Sequence, residues 1–277
     1  MKRDYTIASG TVFYNDCKSL ERTLESLKDK VDVMICVDGR FKHYNDGNDS
    51  GESNDGSQEL VHSYDNAILY SVTNSYEIEK RQCYVDACAF YRDMGADPSQ
   101  DPDYLLIVDS DEYVYEYDQT TFEKEIEIIR GEPWAQYNVF ALMLEINSPN
   151  YDHIVHKISG SNAPDLSNNS KKQFAHAPRL WQRPYEMEYN MTHYYFRNKH
   201  PSSSLHYQET NAAVKIVQGM KLGHDHNLRN QKFLDARYAY QKHLVDFEQN
   251  KLREFVHKHK RNPTIEEYDL IDKGELV

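Results

Sequence analysis

Apolar and polar positions fall into alternating blocks along the first 110 residues. Tyr5 to Phe13 is an uncharged, largely apolar run, the pattern of a strand buried on both faces. Leu20, Leu24, Leu27 and Val31 then recur at spacings of four, three and four, the stripe of an amphipathic helix, with Asn15 and Asp16 placed to cap it. Val33 to Val37, Ala67 to Val72 and Tyr104 to Val108 are further apolar runs, separated by helix-like stretches from Ser57 to Tyr64 and from about Ile78 to Met94. Strands alternating with helices predict a parallel sheet covered on both faces, and such open sheets bind ligands at the carboxyl ends of their strands.

The second half is less regular. Runs at Val139 to Ile146, Ile154 to Ile158, Arg179 to Trp181, Tyr194 to Phe196 and Val214 to Val217 predict mixed, partly antiparallel additions to the sheet. Phe233, Ala236, Tyr240, Leu244 and Phe247 then form one face of a C-terminal helix. Between Gly39 and Gly56 lies a nearly unbroken polar stretch, read as a long surface loop outside any ligand pocket.

Composition changes this picture little. With 277 residues, 39% of them hydrophobic, the chain can bury a sizeable core. A net charge of −13 argues against a generic binder of phosphate backbones while leaving room for an anion held through a metal. From residue 201 onward 12 Lys and Arg stand against 11 Asp and Glu, so the acidity is concentrated earlier in the chain. No apolar run approaches the roughly 20 residues that span a bilayer, and Met1 to Tyr5 lacks the apolar stretch of a secretory signal. A cytoplasmic location is expected, with peripheral membrane association left open. Cys17, Cys36, Cys83 and Cys88 show no paired CxxC spacing and are read as free thiols rather than zinc ligands or disulfides.

The sharpest chemical feature is Leu105-Leu106-Ile107-Val108-Asp109-Ser110-Asp111-Glu112, an apolar strand that stops in three carboxylates. Burial of the strand places these acids at the carboxyl edge of the sheet, where two Asp separated by one residue can turn toward a hard divalent cation such as Mg²⁺ or Mn²⁺. The plain alternative is a polar turn with helix-capping acids.

Several segments carry a family resemblance in chain order. Ile7 to Asn15, ending Phe13-Tyr14-Asn15-Asp16, is followed by the Leu20, Leu24, Leu27 helix, by Val33 to Asp38-Gly39, by Ser53-Asn54-Asp55-Gly56-Ser57, and by Glu79-Lys80-Arg81-Gln82 before the Asp-x-Asp strand. Ala177-Pro178-Arg179-Leu180-Trp181-Gln182-Arg183 and Met191-Thr192-His193 continue the series. Together they resemble family 2 glycosyltransferases over residues 5 to about 195. The stretch Arg40 to Asn54 reads as an insertion, Asp16 stands where Glu is frequent, and no Glu follows His193.

The resemblance implies a glycosyltransferase A-type α/β fold, with a Rossmann-like, mostly parallel central sheet flanked by helices, mixed strands and C-terminal helices. It implies a catalytic domain over 1–222, its nucleotide-binding half at 1–112 and its acceptor half at 113–222, with a helical extension at 223–277. The implied partner is a UDP- or GDP-linked sugar donor, held near Thr11, Phe13, Tyr14, Asp38, Arg81, Asp109 and Ser110. The implied cofactor is Mn²⁺ or Mg²⁺ on Asp109 and Asp111, completed by a C-terminal histidine, His224 in preference to His226. Lys80 and Arg81 have a plain reading as surface cations on a helix, and Gly223 to Asn227 one as a helix-start loop. Glu112, Glu145, Glu186 and Glu188, with His193, are candidates for the base that deprotonates an acceptor hydroxyl in an inverting reaction; Glu186 and Glu188 alternate as on a strand and could equally face water. Tyrosines such as Tyr189, Tyr194, Tyr195 and Tyr207 are packing residues or sugar platforms. The acceptor is open among glycan, lipid, protein and modified nucleobase, as is the oligomeric state. A non-catalytic sugar- or partner-binding member of the fold, and a metal-dependent phosphoesterase on Asp109, Asp111, His224 and His226, are the alternatives.

Overall fold

A computed structural model of the chain describes residues 3–95, 97–131, 139–146, 173–190, 192–198, 215–225, 240, 242–243, 247–261 and 263–276. The N-terminal alternation is present in the expected order: β1 (Ile7–Phe13), α1 (Cys17–Leu27), β2 (Val33–Asp38), α2 (Ser57–His62), β3 (Ala67–Ser71), α3 (Glu77–Ala87), α4 (Phe90–Asp93) and β4 (Tyr104–Ile107). The stretch expected as one helix to Met94 is thus two, α3 and α4. The rest comprises β5 (Glu112–Tyr117), α5 (Gln119–Gly131), β6 (Val139–Ile146), β7 (Gln173–Gln182), β8 (Met187–Asn190), β9 (Thr192–Asn198), β10 (Ile216–His224), α6 (Arg253–His259) and α7 (Ile265–Asp272). Ile154 to Ile158 and most of the helical stripe from Phe233 lie outside the described residues.

An eight-stranded sheet runs in the order β3-β2-β1-β4-β7-β6-β10-β5, and β8 and β9 form a separate hairpin. β3, β2, β1 and β4 are mutually parallel, β7 is antiparallel to both β4 and β6, β10 is parallel to β6, and β5 antiparallel to β10. This is the expected α/β architecture, a parallel half joined to mixed strands.

Alternating side chains divide the core in two. Ile7, Phe13, Met34, Cys36, Leu106 and Val108 face α1 and α5, which contribute Leu20, Leu24, Leu27, Phe122 and Ile126. Ala8, Val12, Ile35, Val37, Leu105 and Ile107 face the opposite layer, built from Tyr84 and Val85 of α3, Phe255 of α6 and Ile271 of α7. Period-two burial on both faces fixes the register, because a one-residue slip would exchange the two cores. Leu20, Leu24 and Leu27 are fully buried, as their stripe requires, and truncating one to alanine should cost about 2–5 kcal/mol. Asp16 is the residue before α1, but its side chain does not cap the helix; Asp55, from the distant polar loop, accepts the Cys17 N–H at 2.9 Å instead. The four cysteines are free; Cys36 and Cys88 are buried, whereas Cys17 and Cys83 are only partly so.

Candidate active site

Val108 is buried, and the chain then reverses: the Glu112 N–H donates to the Asp109 carbonyl at 2.8 Å, and Glu112 opens β5 against β10. Asp109-Ser110-Asp111-Glu112 is therefore a tight turn between two strands at the edge of the sheet, not a free loop. Asp111 and Glu112 are fully buried.

Asp109 lies between two guanidinium groups, Arg81 at 2.7 Å on one oxygen and Arg179 at 3.0 Å on the other. Burial pushes its pKa up, but Arg81 and Arg179 outweigh it and hold the carboxyl well below the usual range. Arg81 also pairs with Glu77 at 2.7 Å, and Arg179 with Glu112 at 2.5 Å. Burial lowers the pKa of Arg179, and Glu112 and Asp109 more than reverse that, raising it.

His224 ends β10 directly opposite Glu112. Its Nε2 lies 3.4 Å from Asp111 Oδ2 and its Nδ1 3.4 Å from Glu112 Oε1. Burial lowers the imidazole pKa, yet Asp111, aided by Glu112 and Asp109, lifts it to about 9. The pocket thus draws a positive charge to this point. β10 runs through Gly223 and His224, so the start of the stretch with a plain reading as a helix-start loop is strand; Asp225 follows the strand, and residues 226 and 227 lie outside the described residues. A Cβ at 223 would stand 2.6 Å from the far end of the Tyr113 side chain, so that ring, on which Arg22 stacks at 4.2 Å, would have to shift. Arg22 in turn holds Asp225 at 2.9 Å, and the Asp225 N–H donates to the Asp111 carbonyl at 3.0 Å. His226 lies outside the described residues.

Beside this cluster opens a cavity of about 500 Å³, including its mouth. Val12, Phe13 and Tyr14 from the end of β1 line it with Arg81, Asp109 and Ser110, and Phe41, Tyr44 and Tyr240 form an aromatic wall. Phe41 stacks on Tyr240 with centroids 5.1 Å apart. The polar loop therefore does not lie outside the pocket, because Phe41 and Tyr44 belong to it. Its start is held by Lys80, whose Nζ donates to the carbonyls of Gly39 and of Val72, the latter at 2.7 Å. Its end is held by Asp38, which accepts from Ser53 N–H at 2.9 Å, Ser53 Oγ at 2.6 Å and Gln58 at 2.6 Å. In between, Tyr14 donates to Asp46 at 2.8 Å. Gly39 adopts φ 136°, and a Cβ there would collide with the Val72 carbonyl, so the exit from β2 needs glycine.

The structure brings Phe13, Tyr14, Arg81, Asp109 and Ser110 to the cavity and Asp111, Glu112 and His224 into one adjoining cluster. The reading of Lys80 and Arg81 as surface cations is overturned: Lys80 is fully buried and Arg81 is 5% exposed, because that face of α3 packs on the sheet. Asp38 is buried and holds the loop, and the Ser110 hydroxyl is bonded to Asp16 at 2.7 Å. Thr11 is buried within β1 and is not among the lining residues. Glu145 is buried on β6 and hydrogen-bonded by Tyr115. Glu186 is in a short 3-10 turn, 3.3 Å from Arg183, so only Glu188 of that pair is on a strand, β8; neither lines the cavity. The side chain of His193 lies outside the described residues. Sequence reasoning put Arg179 in a family-like segment and Tyr240 on a helix face but gave neither of them, nor Glu77, Phe41 or Tyr44, a role at the site; that segment and the alternation against the buried Leu180 were the signals that could have found Arg179.

Asp111 and His224 suit a divalent ion as one oxygen and one nitrogen donor, whereas Asp109 is neutralised by its two arginines and does not fit as a direct ligand. Two-metal hydrolysis, which needs Asp109 available to a cation, fits this arrangement poorly.

No protein-family model matches the chain, and no curated protein matches it. Among solved structures, glucosyl-3-phosphoglycerate synthase from Mycobacterium tuberculosis in complex with Mn²⁺, UDP and glucosyl-3-phosphoglycerate is 12% identical with a TM-score of 0.37, over 88% of this chain and 80% of that one. The same enzyme with Mn²⁺, UDP-glucose and phosphoglyceric acid gives 12% identity and a TM-score of 0.27 over 65% of this chain and 57% of that one. Likeness at this level carries no functional argument by itself. Among the described residues no helix is long and apolar enough to cross a membrane.

Proposed function

We propose that the chain is a glycosyltransferase of the A-type fold that takes a nucleoside-diphosphate sugar, UDP- or GDP-linked, and transfers the sugar to an acceptor hydroxyl. The observation that carries the reading is the juxtaposition, at the carboxyl ends of the parallel strands β1 and β4 and of β10, of an aromatic-walled cavity with the buried Asp111–His224 pair. The wall of Phe41, Tyr44 and Tyr240 offers ring faces to a base, and the end of β1 lies against the same space. Asp111 and His224 would hold Mn²⁺ or Mg²⁺, which when bound neutralises charge on a departing diphosphate.

This chain's own residues supply the rest. Arg81 and Arg179 fix Asp109 at the cavity floor. Arg179 and the Asp109 N–H both bond Glu112, which makes that carboxylate a positioning group for Arg179 and His224 rather than a base. Glu145 is engaged by Tyr115. Glu186, paired with Arg183, and Glu188, both half-buried around the start of β8, are the other carboxylate candidates for receiving the acceptor proton, and neither lines the cavity.

Calorimetric titration of UDP and GDP with and without Mn²⁺ tests the reading. One nucleotide should bind in a metal-dependent manner, and Asp111→Asn should remove the metal-dependent part while leaving the circular dichroism spectrum unchanged. Binding of neither nucleotide, or binding indifferent to Mn²⁺, would overturn it.

A further inference from the structure

Away from the carboxylate turn, three side chains from three segments converge. His43 belongs to the polar loop, between Phe41 and Tyr44; His243 follows Tyr240 on the helical C-terminal stretch; Asp272 ends α7. His43 Nε2 is 2.7 Å from Asp272 Oδ2, His243 Nε2 is 3.4 Å from Asp272 Oδ1, and the imidazole centroids are 4.2 Å apart. Their ligand atoms all lie within 4.8 Å of one another, the one such group of three among the described residues. His243 Nε2 is buried and makes no hydrogen bond, although it faces the carboxylate.

We propose that His43, His243 and Asp272 form a Zn²⁺ site that ties the polar loop to the C-terminal helices. Two imidazole nitrogens and one carboxylate oxygen are a donor set for zinc, with a fourth position left to water. At Zn–N and Zn–O bonds of about 2.0–2.1 Å, tetrahedral ligand atoms stand roughly 3.3 Å apart. The His243 Nε2–Asp272 Oδ1 separation of 3.4 Å already meets this, and the His43 Nε2–Asp272 Oδ2 hydrogen bond at 2.7 Å has to open by about half an ångström; because each imidazole now faces a different oxygen, the carboxylate has also to turn to present one oxygen to the ion. His43 sits at the surface with its side chain 35% exposed, so a path for the ion and freedom for that movement exist.

Asp272 is oriented from outside. Lys251 Nζ donates to its backbone carbonyl and lies 3.3 Å from Oδ1, and Tyr76 OH lies 3.4 Å from Oδ2. Such outer partners fix a ligating carboxylate, although the Lys251 ammonium also opposes a cation and limits the affinity. Occupancy would brace the Phe41, Tyr44 and Tyr240 wall from behind, because each histidine lies within three residues of it in sequence. The metal site itself does not depend on what the cavity binds.

The test uses the full chain carrying Asp111→Asn, which disables the carboxylate beside His224, stripped with a chelator and titrated with Zn²⁺ and with Co²⁺ as a visible-absorption probe. One equivalent of Zn²⁺ should bind, displace Co²⁺ and raise the melting temperature. Adding His43→Gln, or separately His243→Gln, should weaken Zn²⁺ by more than the roughly 10- to 100-fold that loss of an outer partner brings, and abolish the melting shift. The two variants sit on different segments, and each is checked for fold by circular dichroism. Zinc binding unchanged in both, or no zinc binding in the D111N chain, would overturn the site and leave a hydrogen-bonded His–Asp–Lys linkage.

Discussion

Lys80 offers the most direct quantitative test of the packing. Its ammonium is fully buried between α3 and the sheet, held by the Gly39 and Val72 carbonyls, and 4.9 Å from the Phe41 ring centroid. Burial lowers its pKa from 10.5 to about 7, against the raising effect of Asp38, Glu77 and Glu79. Because the folded pKa lies below the unfolded one, the unfolded chain binds the extra proton between them, and stability rises with pH across that window. The full effect is about 5 kcal/mol, from a displacement of roughly 3.5 pK units at 1.36 kcal/mol each. Between pH 7 and 9.5 about 3 kcal/mol of it should appear. The perturbation is Lys80→Met, which keeps the volume and removes the titration. Urea unfolding of both proteins at intervals over that range gives the difference wild type minus K80M, which cancels groups common to both. That difference should climb steadily with pH. A difference that is flat with pH would show that Lys80 is charged in the folded state at an ordinary pKa and would refute the reasoning.

Further outcomes are expected from the site. Arg179→Ala leaves Asp109 and Glu112 without a shared cation and should cost about 3–5 kcal/mol in urea unfolding; a loss below about 1 kcal/mol would mean the cluster is solvated. The His224 ring should titrate near pH 9 by NMR, so its charge stabilises fully below pH 6.5 and ceases to do so as pH rises through 9; an ordinary midpoint would contradict the contacts with Asp111 and Glu112. Asp38→Asn should loosen the polar loop by about 1–3 kcal/mol through its lost charge-assisted bonds to Ser53 and Gln58, seen as faster proteolysis between Gly39 and Gly56; unchanged cleavage would show the loop is held elsewhere. Phe41→Ala, and deletion of Lys42 to Gly51, should each weaken nucleotide binding, the former by about tenfold or more if a base stacks there; unaltered affinity would place the base outside the aromatic wall.

Local pattern determined much of this protein. The stripe of Leu20, Leu24 and Leu27 reads as a helix with one buried face, and the short apolar runs Tyr5 to Phe13, Val33 to Val37 and Tyr104 to Val108 read as strands covered on both sides; α1, β1, β2 and β4 are buried in that way. Burial of the last of these is enough to put Asp109 to Glu112 at the sheet edge, since charges do not enter such a strand. Periodicity of that kind is a property of neighbours along the chain. The partners of those charges are not. Arg81 and Arg179 reach Asp109 from 28 and 70 residues away, and His224 meets Glu112 from 112 away, because β7 joins the sheet beside β4 and β10 beside β5. Burial of Lys80, capture of Asp38 by Ser53, and the meeting of His43, His243 and Asp272 likewise depend on which surfaces pack together. Tertiary structure alone decides them, because a buried charge takes the nearest opposite charge or donor that the packing of distant segments brings within reach.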